Sequence, residues 1–306
     1  VDFCYMPIYQ YGSLYIAKRF ESPSELLDSF YFERENAARI HKAATDITKL
    51  LSNLLSRANR RMAIRQKELL QNQNREDLRI KGELLKANLY AVQPGSTVAR
   101  VQNYYDENLE FIDIPLDVSL TPQQNAAKYF KDYKKSCAAV QSLGLLIEND
   151  RQEIEYLESV SESLARCKTI SDINEIRDEL SLGGYLKQTA RKQPRKKATV
   201  QLDEYTSQEG YKILVGKNNM QNDYITCTLA SKGDMWFHTK NIHGSHVVVF
   251  CGGAELSDET IILAASLAAK NSKASGSSNV PVDYTPIKYV KKPFIKFVTI
   301  SFFSII

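Results

Sequence analysis

Apolar residues recur at alternating spacings of three and four along two long stretches of the chain. The first stretch starts at Ser22-Pro23 and runs to about residue 88 with hardly any Gly or Pro; its seam is Ala37, Ile40, Ala44, Ile47, Leu51, Leu54 and Ala58. This spacing is typical of a coiled coil. A helix of about 60 residues is about 90 Å long, too long to bury its apolar stripe on a compact core. We therefore expect a coiled-coil helix over residues 23–92 that needs a partner helix.

The second stretch supplies that partner. Thr121-Pro122 is a helix start with Thr121 as the N-cap. The same spacing then follows, with a slip near Arg151, through Ala126, Phe130, Tyr133, Cys137, Val140, Gly144, Ile147, Ile154, Leu157 and Leu164. We expect return helices over residues 121–183, ending in a short helix at Asp172–Leu180. An antiparallel hairpin within one chain is the simplest pairing, and pairing with a second chain is the alternative.

The connection between the two long helices, residues 93–120, is longer than a turn. Val98–Tyr105 and Phe111–Ile114 have the composition of strands and are joined at Asp106-Glu107-Asn108. We expect a small β module at the tip of the hairpin, which either contacts a distant partner or only caps the hairpin. Residues 1–22 have the pattern of another short β-hairpin, which we interpret as a remnant of the region that precedes the coiled coil.

Residues 200–293 form a second domain after a basic linker at 184–199. Segments with the pattern of strands alternate there with one apolar helix that Ser257 caps; the strands are expected at Tyr211–Val215, Tyr224–Ala230, Met235–Thr239, His246–Phe250 and Val282–Val290. The expected fold class is α+β. It combines a long antiparallel coiled-coil hairpin, a small β module at its tip, and a mixed, mostly antiparallel α+β domain. Residues 294–306 form an atypical apolar tail.

Composition narrows the function classes. The 306 residues carry a net charge of only +4, so binding to nucleic acid requires local basic charge. Five scattered cysteines favour a reducing, cytoplasmic location over a disulfide framework. No apolar run reaches the length of a membrane helix, so no membrane partner is expected. The chain begins with Val-Asp and has no signal peptide, which leads us to expect a fragment of a longer protein.

The segment from Asp234 to His246 holds the single tryptophan and three of the four histidines. Alternation along the strand points Met235 and Phe237 toward the core and leaves a second face with Asp234, Trp236, His238 and Lys240. Flat rings stack on bases and ammonium groups bind phosphate, so this face predicts contact with RNA. The alternative is that Trp236 fills the edge of the core.

The loop before this strand, VGKNNMQNDY, concentrates amide side chains and Lys217. Amides bind base edges and backbone, or they merely shape a polar turn. The spacing of His238, His243 and His246 matches no specific zinc geometry. Ser245 lacks the glycines of a hydrolase elbow, and Gly216 lacks those of a phosphate loop. We expect no catalytic residue, metal or cofactor, and hence no enzyme.

Several motifs together resemble one family. ILVGKNNMQNDYIT, DMWFHTKNIHGSHVVV and VPVDYTPIKYVKKP are similar to the RNA-binding domain of the RqcH/NEMF (NFACT) family of ribosome-associated quality control factors. RIKGELLKANLY, VQNYYDENLEFIDIPLD and NAAKYFKDYKK are similar to the coiled-coil arms of that family and the small module between them. Many bacterial members are named fibronectin-binding protein A.

The resemblance implies a recruiting factor that binds the large ribosomal subunit with stalled peptidyl-tRNA. It further implies recruitment of alanyl-tRNA for alanine tailing, with the chemistry supplied by the ribosome. The alternative is a fibronectin-binding adhesin-like protein. The matching motif positions, to which we add the nearby lysines, are assigned to RNA contact or to support of the RNA-facing surface: Lys217, Asn218, Asn219, Asn222, Asp234, Trp236, His238, Lys240, His246, Lys291 and Lys292.

The sequence departs from the family pattern in three places. His243 stands where the family usually has proline. We expect the family's N-terminal domain, with the residues thought to select the tRNA, to be absent from this chain, and we therefore expect no tRNA selection by it. After Pro293 the sequence runs into FIKFVTISFFSII in place of a glycine-containing strand.

Overall fold

A computed structural model describes residues 18–187 and 201–291, together with the backbone of a short strand near the C-terminus. Most of the expected hairpin at 1–22, most of the basic linker at 184–199, and Lys292 lie outside the described residues, as do the side chains of the apolar tail. The chain divides into two compact units. Leu55–Ile154 form one, and the segments before and after them form the other.

Four helices account for the heptad stretches: α1 at Pro23–Gln71, α2 at Arg75–Ala87, α3 at Pro122–Ala165 and α4 at Ile170–Leu182. The expected helix starts at Ser22 and Thr121 are present. The Oγ of Ser22 accepts a hydrogen bond from the N–H of Glu25 at 3.1 Å. Thr121 exchanges bonds with Gln124 in both directions, which is a capping box.

The first helix is not continuous to residue 88, as the pattern predicted. It is interrupted after Gln71, where the Nδ2 of Asn72 donates to the carbonyl of Glu68 at 2.8 Å. An asparagine that bonds to nearby backbone competes with helical hydrogen bonding. Asn59 makes the same bond to Leu55 inside α1 without a break, so the bond of Asn72 alone does not explain the interruption.

Within Leu55–Ile154 the pairing of the helices is antiparallel and belongs to one chain. Arg61 of α1 bonds to Asp150 at 2.6 Å, and Asn72, just past the end of α1, bonds to Ser136 at 2.9 Å. As residue numbers rise along the first helical stretch, the numbers of the bonded residues on α3 fall. The two stretches are therefore antiparallel, which confirms the coiled-coil hairpin. Asp150 is buried and forms ion pairs with both Arg61 and Arg65, so its buried charge is compensated by two cations of the facing helix.

The β module at the tip is also confirmed. β1 at Val98–Gln102 pairs antiparallel with β2 at Phe111–Pro115, and Val98 lies opposite Pro115. The module packs on α2 and α3 through a small apolar core of Leu84, Leu85, Ala99, Val101, Ile114 and Ala126. Tyr104 and Phe111 of the module are exposed, as is Tyr90 shortly before it.

The second domain is built on a five-stranded sheet whose neighbouring strands are all antiparallel. Its strands lie in the order β3-β4-β6-β5-β7. They span Asp203–Thr206 (β3), Lys212–Val215 (β4), Met235–Thr239 (β5), Val247–Val249 (β6) and Val282–Pro286 (β7). A short β8 at Val290–Lys291 pairs with β9 at Ser304–Ile305. The α+β fold class is confirmed, although the sequence did not reveal β3.

Helical segments cover both faces of this sheet. α6 at Asp258–Lys270 begins at the expected cap, because the Oγ of Ser257 accepts from the N–H of Thr260 at 3.3 Å. On the other side, α5 at Asn219–Tyr224 continues into a π-helical turn at Ile225–Leu229. The strand predicted at Tyr224–Ala230 is therefore wrong. Its alternating side chains favour a strand, but the Asn218 cap starts a helix that buries Ile225 and Thr226.

Each face of the sheet has its own apolar core. The α6 side joins Ile213, Val215, Phe237, Val247, Val249, Ala264, Leu267 and Ala268. The opposite side joins Leu214, Ile225, Trp236 and Val248. A search of the described helices for one long and apolar enough to cross a membrane finds none.

Candidate nucleic-acid interface

The alternation predicted for β5 is correct on its inner side. Phe237 is fully buried and Met235 packs against the same core, which also contains α6. The ring of Phe237 stacks on Tyr284 of the neighbouring edge strand, with centroids 5.4 Å apart and planes 14° apart.

The outer side of β5 differs from the prediction. Trp236 is only 3% exposed, because the helical segment from Asn219 to Leu229 covers it. Asp234 is equally buried. The expectation that this face lies open for base stacking is therefore wrong at both residues, and the alternative of a core tryptophan is the one observed. Of the two roles assigned to them, support of a surface fits their burial.

Three rings meet at Trp236. His238 stacks on it with centroids 5.6 Å apart and planes 16° apart, and His246 meets both rings edge-on. The Nδ1 of His246 lies 2.8 Å from the hydroxyl of Thr226 in the π-helical turn. The residue that immediately precedes β6 is thus bonded to the segment that covers the tryptophan.

Both imidazoles of this cluster are neutral at pH 7. Burial lowers the pKa of His238 to about 4, against the opposing effect of a backbone hydrogen bond with Gly244. Burial also holds the pKa of His246 well below its usual range. These rings therefore offer no positive charge to phosphate. Among the described residues no group of three or more His, Cys, Asp or Glu side chains is placed to hold a metal.

The amides of the predicted loop are committed to internal bonds. Asn218 caps α5 and donates to Glu175 at 2.8 Å, and Asn219 donates to Glu179 at 3.0 Å. Asn222 accepts from the N–H of His246 at 3.0 Å. A Cβ on Gly216 would lie 2.2 Å from the Asn222 amide oxygen, so only glycine fits there. The arrangement is that of a structural polar turn.

Asp234 joins two loops. Its carboxylate accepts from the N–H of Ser231 at 2.7 Å and from the N–H of Gly252 at 2.8 Å. Its carbonyl accepts from the N–H of Ile287 at 2.9 Å, and the carbonyl of Lys232 accepts from the N–H of Lys288 at 3.3 Å. Asp234 therefore holds Lys232 beside the segment that contains Lys288.

These bonds bring exposed basic and aromatic side chains to one segment of the surface. We call this surface the Lys288 patch; it consists of Lys232, Lys288, Tyr289 and Lys291. Lys288 lies over the ring of Tyr289, with Nζ 4.8 Å from the centroid. Ile287 and Val290 of the same segment pack into the Trp236 core, so the lysines and the tyrosine point outward. The sequence identified Lys291 but missed the other three residues, although the run IKYVKK carries the signal of lysines interleaved with an aromatic.

The remaining predicted cations lie elsewhere. Lys240 is exposed, with Nζ 3.8 Å from a carboxylate oxygen of Asp283. Lys217 is partly buried and pairs with Asp203 at 3.0 Å. Neither belongs to the Lys288 patch. Exposed lysines interleaved with an aromatic side chain are typical of domains that bind RNA.

Comparison with known proteins agrees with this class. A family model of the NFACT N-terminal and middle domains matches residues 1–199, and a model of the NFACT protein RNA binding domain matches residues 202–295. The chain belongs to the RqcH/NEMF (NFACT) family.

Curated relatives share this sequence at moderate identity. The Rqc2 homolog RqcH of Bacillus subtilis (strain 168) is 42% identical over 279 residues, which are 90% of this chain and 48% of the relative. The Rqc2 homolog RqcH of Streptococcus suis (strain 05ZYH33) is 40% identical over 275 residues, 90% of this chain and 49% of the relative. The chain thus spans about half the length of these relatives.

A solved structure shares the fold. It is the C-terminal of the fibronectin/fibrinogen-binding protein from Streptococcus suis, with a TM-score of 0.65 and 34% sequence identity. The match covers 88% of this chain and 94% of that one.

Proposed function

We propose that this chain binds RNA on the large ribosomal subunit during ribosome-associated quality control. In this role it helps to recruit tRNA for alanine tailing of a stalled nascent chain. The ribosome performs the peptidyl transfer, so the chain acts in the cytoplasm as a recruiting factor and not as an enzyme. The relatives named RqcH and the match to an NFACT RNA-binding domain support this assignment.

The observation that carries the proposal is the Lys288 patch. Its charge is local, as a chain with a net charge of only +4 requires. Lysines neutralise phosphates and release their counterions, while Tyr289 offers a ring face to an unstacked base. The buried Trp236 core supports the surface from below, and Asp234 fixes one of its lysines.

The β module at the hairpin tip supports contact at a second place on the subunit. Tyr90 is 88% exposed there, and Tyr104 and Phe111 are also more than half exposed. Aromatic side chains exposed together mark an interaction site more often than isolated apolar residues do.

Binding of the chain to purified large subunits and to tRNA tests the proposal. A triple variant with Lys232→Gln, Lys288→Gln and Lys291→Gln removes the charge of the patch without touching the core. Lys270→Gln is the matched control, because this exposed lysine ends α6, which covers the opposite face of the sheet. We expect the triple variant to bind tRNA much more weakly than the wild-type chain and the control to bind tRNA as the wild type does. Equal binding by both would refute the patch as the RNA contact.

The likeness to a protein titled fibronectin/fibrinogen-binding favours a second candidate, adhesion. Immobilised fibronectin in the same assay separates the two. Saturable binding to fibronectin, with none to large subunits or tRNA, would favour the adhesin-like alternative.

A further inference from the structure

A cleft of about 170 Å³ lies between the end of α3, the start of α4 and two loops of the five-stranded sheet. Arg166 and Lys168 line it from the helical side. Lys217, Ser245 and Asn271 line it from the sheet domain. None of these positions is part of the Lys288 patch.

Arg166 is the unusual group of this cleft, because it is largely buried and bonded only to neutral acceptors. Its Nη1 donates to the hydroxyl of Ser245 at 3.1 Å and to the carbonyl of Asn271. Its Nε lies 3.4 Å from the carbonyl of Glu162. In the described part of the chain none of its hydrogen bonds reaches a carboxylate. Burial lowers the pKa of this guanidinium, and the charge of the Glu162 carboxylate, which raises it, offsets the effect of burial only in part.

The carboxylates of the cleft are already occupied. Asp203 pairs with Lys217 at 3.0 Å. Asp172 accepts the backbone N–H groups of Lys168 at 3.1 Å and Thr169 at 2.9 Å, and lies 3.8 Å from Lys217. The charge of Arg166 and that of the exposed Lys168 therefore stay uncompensated by these acids.

A compact anion rich in oxygen complements this arrangement. With Nε and both hydrogens of Nη1 engaged, the Nη2 group of Arg166 is left to donate to a phosphate oxygen, and a lysine nearby adds a point charge. A cleft of about 170 Å³ admits one such group with room for water.

We propose that this cleft binds a phosphate group, held by Arg166 with Lys168 beside it. The phosphate comes either from an RNA backbone or from free phosphate in solution. Assigning it to RNA rests on the proposed function; binding of inorganic phosphate does not.

The first experiment titrates the full 306-residue chain with inorganic phosphate at constant ionic strength and follows backbone amide resonances. We expect saturable shifts at Thr169, Lys217 and Ser245. Arg166→Gln should weaken the affinity about tenfold or more, the usual effect of losing a charged hydrogen bond. Arg177→Gln, an exposed arginine on α4 outside the cleft, should change nothing.

Because Arg166 also ties α3 to the sheet domain, its variant can fail to fold. Lys168→Gln alters only an exposed side chain and should still weaken phosphate binding several-fold. Absence of a saturable shift in the wild-type chain would overturn the proposal, as would shifts confined to other surfaces.

The second experiment measures tRNA binding across a salt series. If the phosphate is that of RNA, Arg166→Gln should reduce the slope of log K against log salt by roughly 0.7–0.9, the value of one phosphate contact. If Arg166→Gln loses binding of inorganic phosphate but keeps the wild-type salt slope of tRNA binding, the cleft binds free phosphate and not the RNA backbone. Phosphate binding without any tRNA binding would refute the proposed function and leave the cleft site standing. Binding of tRNA without any binding of inorganic phosphate would refute the cleft site and leave the proposed function standing.

Discussion

The amide oxygen of Asn222 accepts a hydrogen bond from the backbone N–H of His246 at 3.0 Å. The same amide donates to the carbonyl of Gly244 at 3.4 Å. Since Asn222 belongs to α5 and His246 precedes β6, one buried side chain fixes the covering helix to the sheet. The position of that helix decides whether Trp236 is core or surface.

Asn222→Ala should lower the free energy of unfolding by about 2 kcal/mol, because it leaves the buried N–H of His246 without its acceptor. Unfolding in urea measures this loss. Met220→Ala, on the exposed side of the same helix, is the control and should change stability by less than about 0.5 kcal/mol. Equal effects of the two substitutions would show that the Asn222 bond does not hold the helix in place.

Trp236 is the single tryptophan, so its fluorescence reports this one site. Because the indole is buried, we expect emission at short wavelength and weak quenching by acrylamide. Saturation with tRNA should leave the emission unchanged, since the bases bind at the Lys288 patch. Strong quenching on addition of tRNA would instead indicate a base stacked on Trp236, as the sequence alone had suggested.

His238 makes stability depend on pH. Its pKa is about 4 in the folded chain and about 6.5 when unfolded, so the unfolded state binds more protons between these values. Stability contributed by the neutral ring is full above about pH 6.5 and is lost as pH falls toward 4, by up to about 1.4 kcal/mol per pH unit. Urea unfolding across this range should show a shallower pH dependence for His238→Gln than for the wild type. Parallel curves would contradict this assignment.

Glu179 makes stability depend on pH in the direction opposite to His238. Burial raises the pKa of this carboxyl to about 7, so the folded state keeps a proton that the unfolded state has lost. Stability therefore falls as pH rises from about 4.5 to about 7. Glu179→Gln should be more stable than the wild type at pH 8, by up to about 3 kcal/mol, and equally stable at pH 4.

Urea unfolding of Glu179→Gln at these two pH values makes the comparison. Glu35→Gln, an exposed carboxylate on α1, serves as the control and should leave stability within about 0.5 kcal/mol of the wild type at both. A destabilised Glu179→Gln variant at pH 8 would show that the ionised carboxylate is required.

Sequence patterns predicted the elements whose signals are local. The structure confirms the helix start at Ser22, the caps at Thr121 and Ser257, and the strands of the tip module, and it buries Ile47, Leu51 and Ala58 of the heptad seam. Each depends on residues within a few positions of one another, where spacing and hydrogen-bonding type are visible in the sequence.

The burial of Trp236 could not be predicted in the same way. Alternation shows which side chains share a face of β5, but not whether another segment covers that face. Part of the covering segment at 219–229 itself alternates, so the sequence pattern predicts a strand at Tyr224–Ala230. Because this segment is predicted as a strand and not as a covering helix, the sequence wrongly predicts that Trp236 is exposed.

The Lys288 patch depends on pairing distant in sequence. Lys232 and Lys288 become neighbours through the backbone bond between them and through the bond from Asp234 to Ile287. Neither contact has a local signal, so the patch was found only in part, at Lys291.

The salt dependence of tRNA binding tests the central claim most directly. The wild-type chain, the Lys232→Gln, Lys288→Gln, Lys291→Gln triple variant and Lys270→Gln are compared over one salt series. Each phosphate contact contributes roughly 0.7–0.9 to the slope of log K against log salt. We predict that the triple variant loses about two units of slope and that Lys270→Gln keeps the wild-type slope. Equal slopes for all three chains would contradict the claim that the Lys288 patch holds RNA.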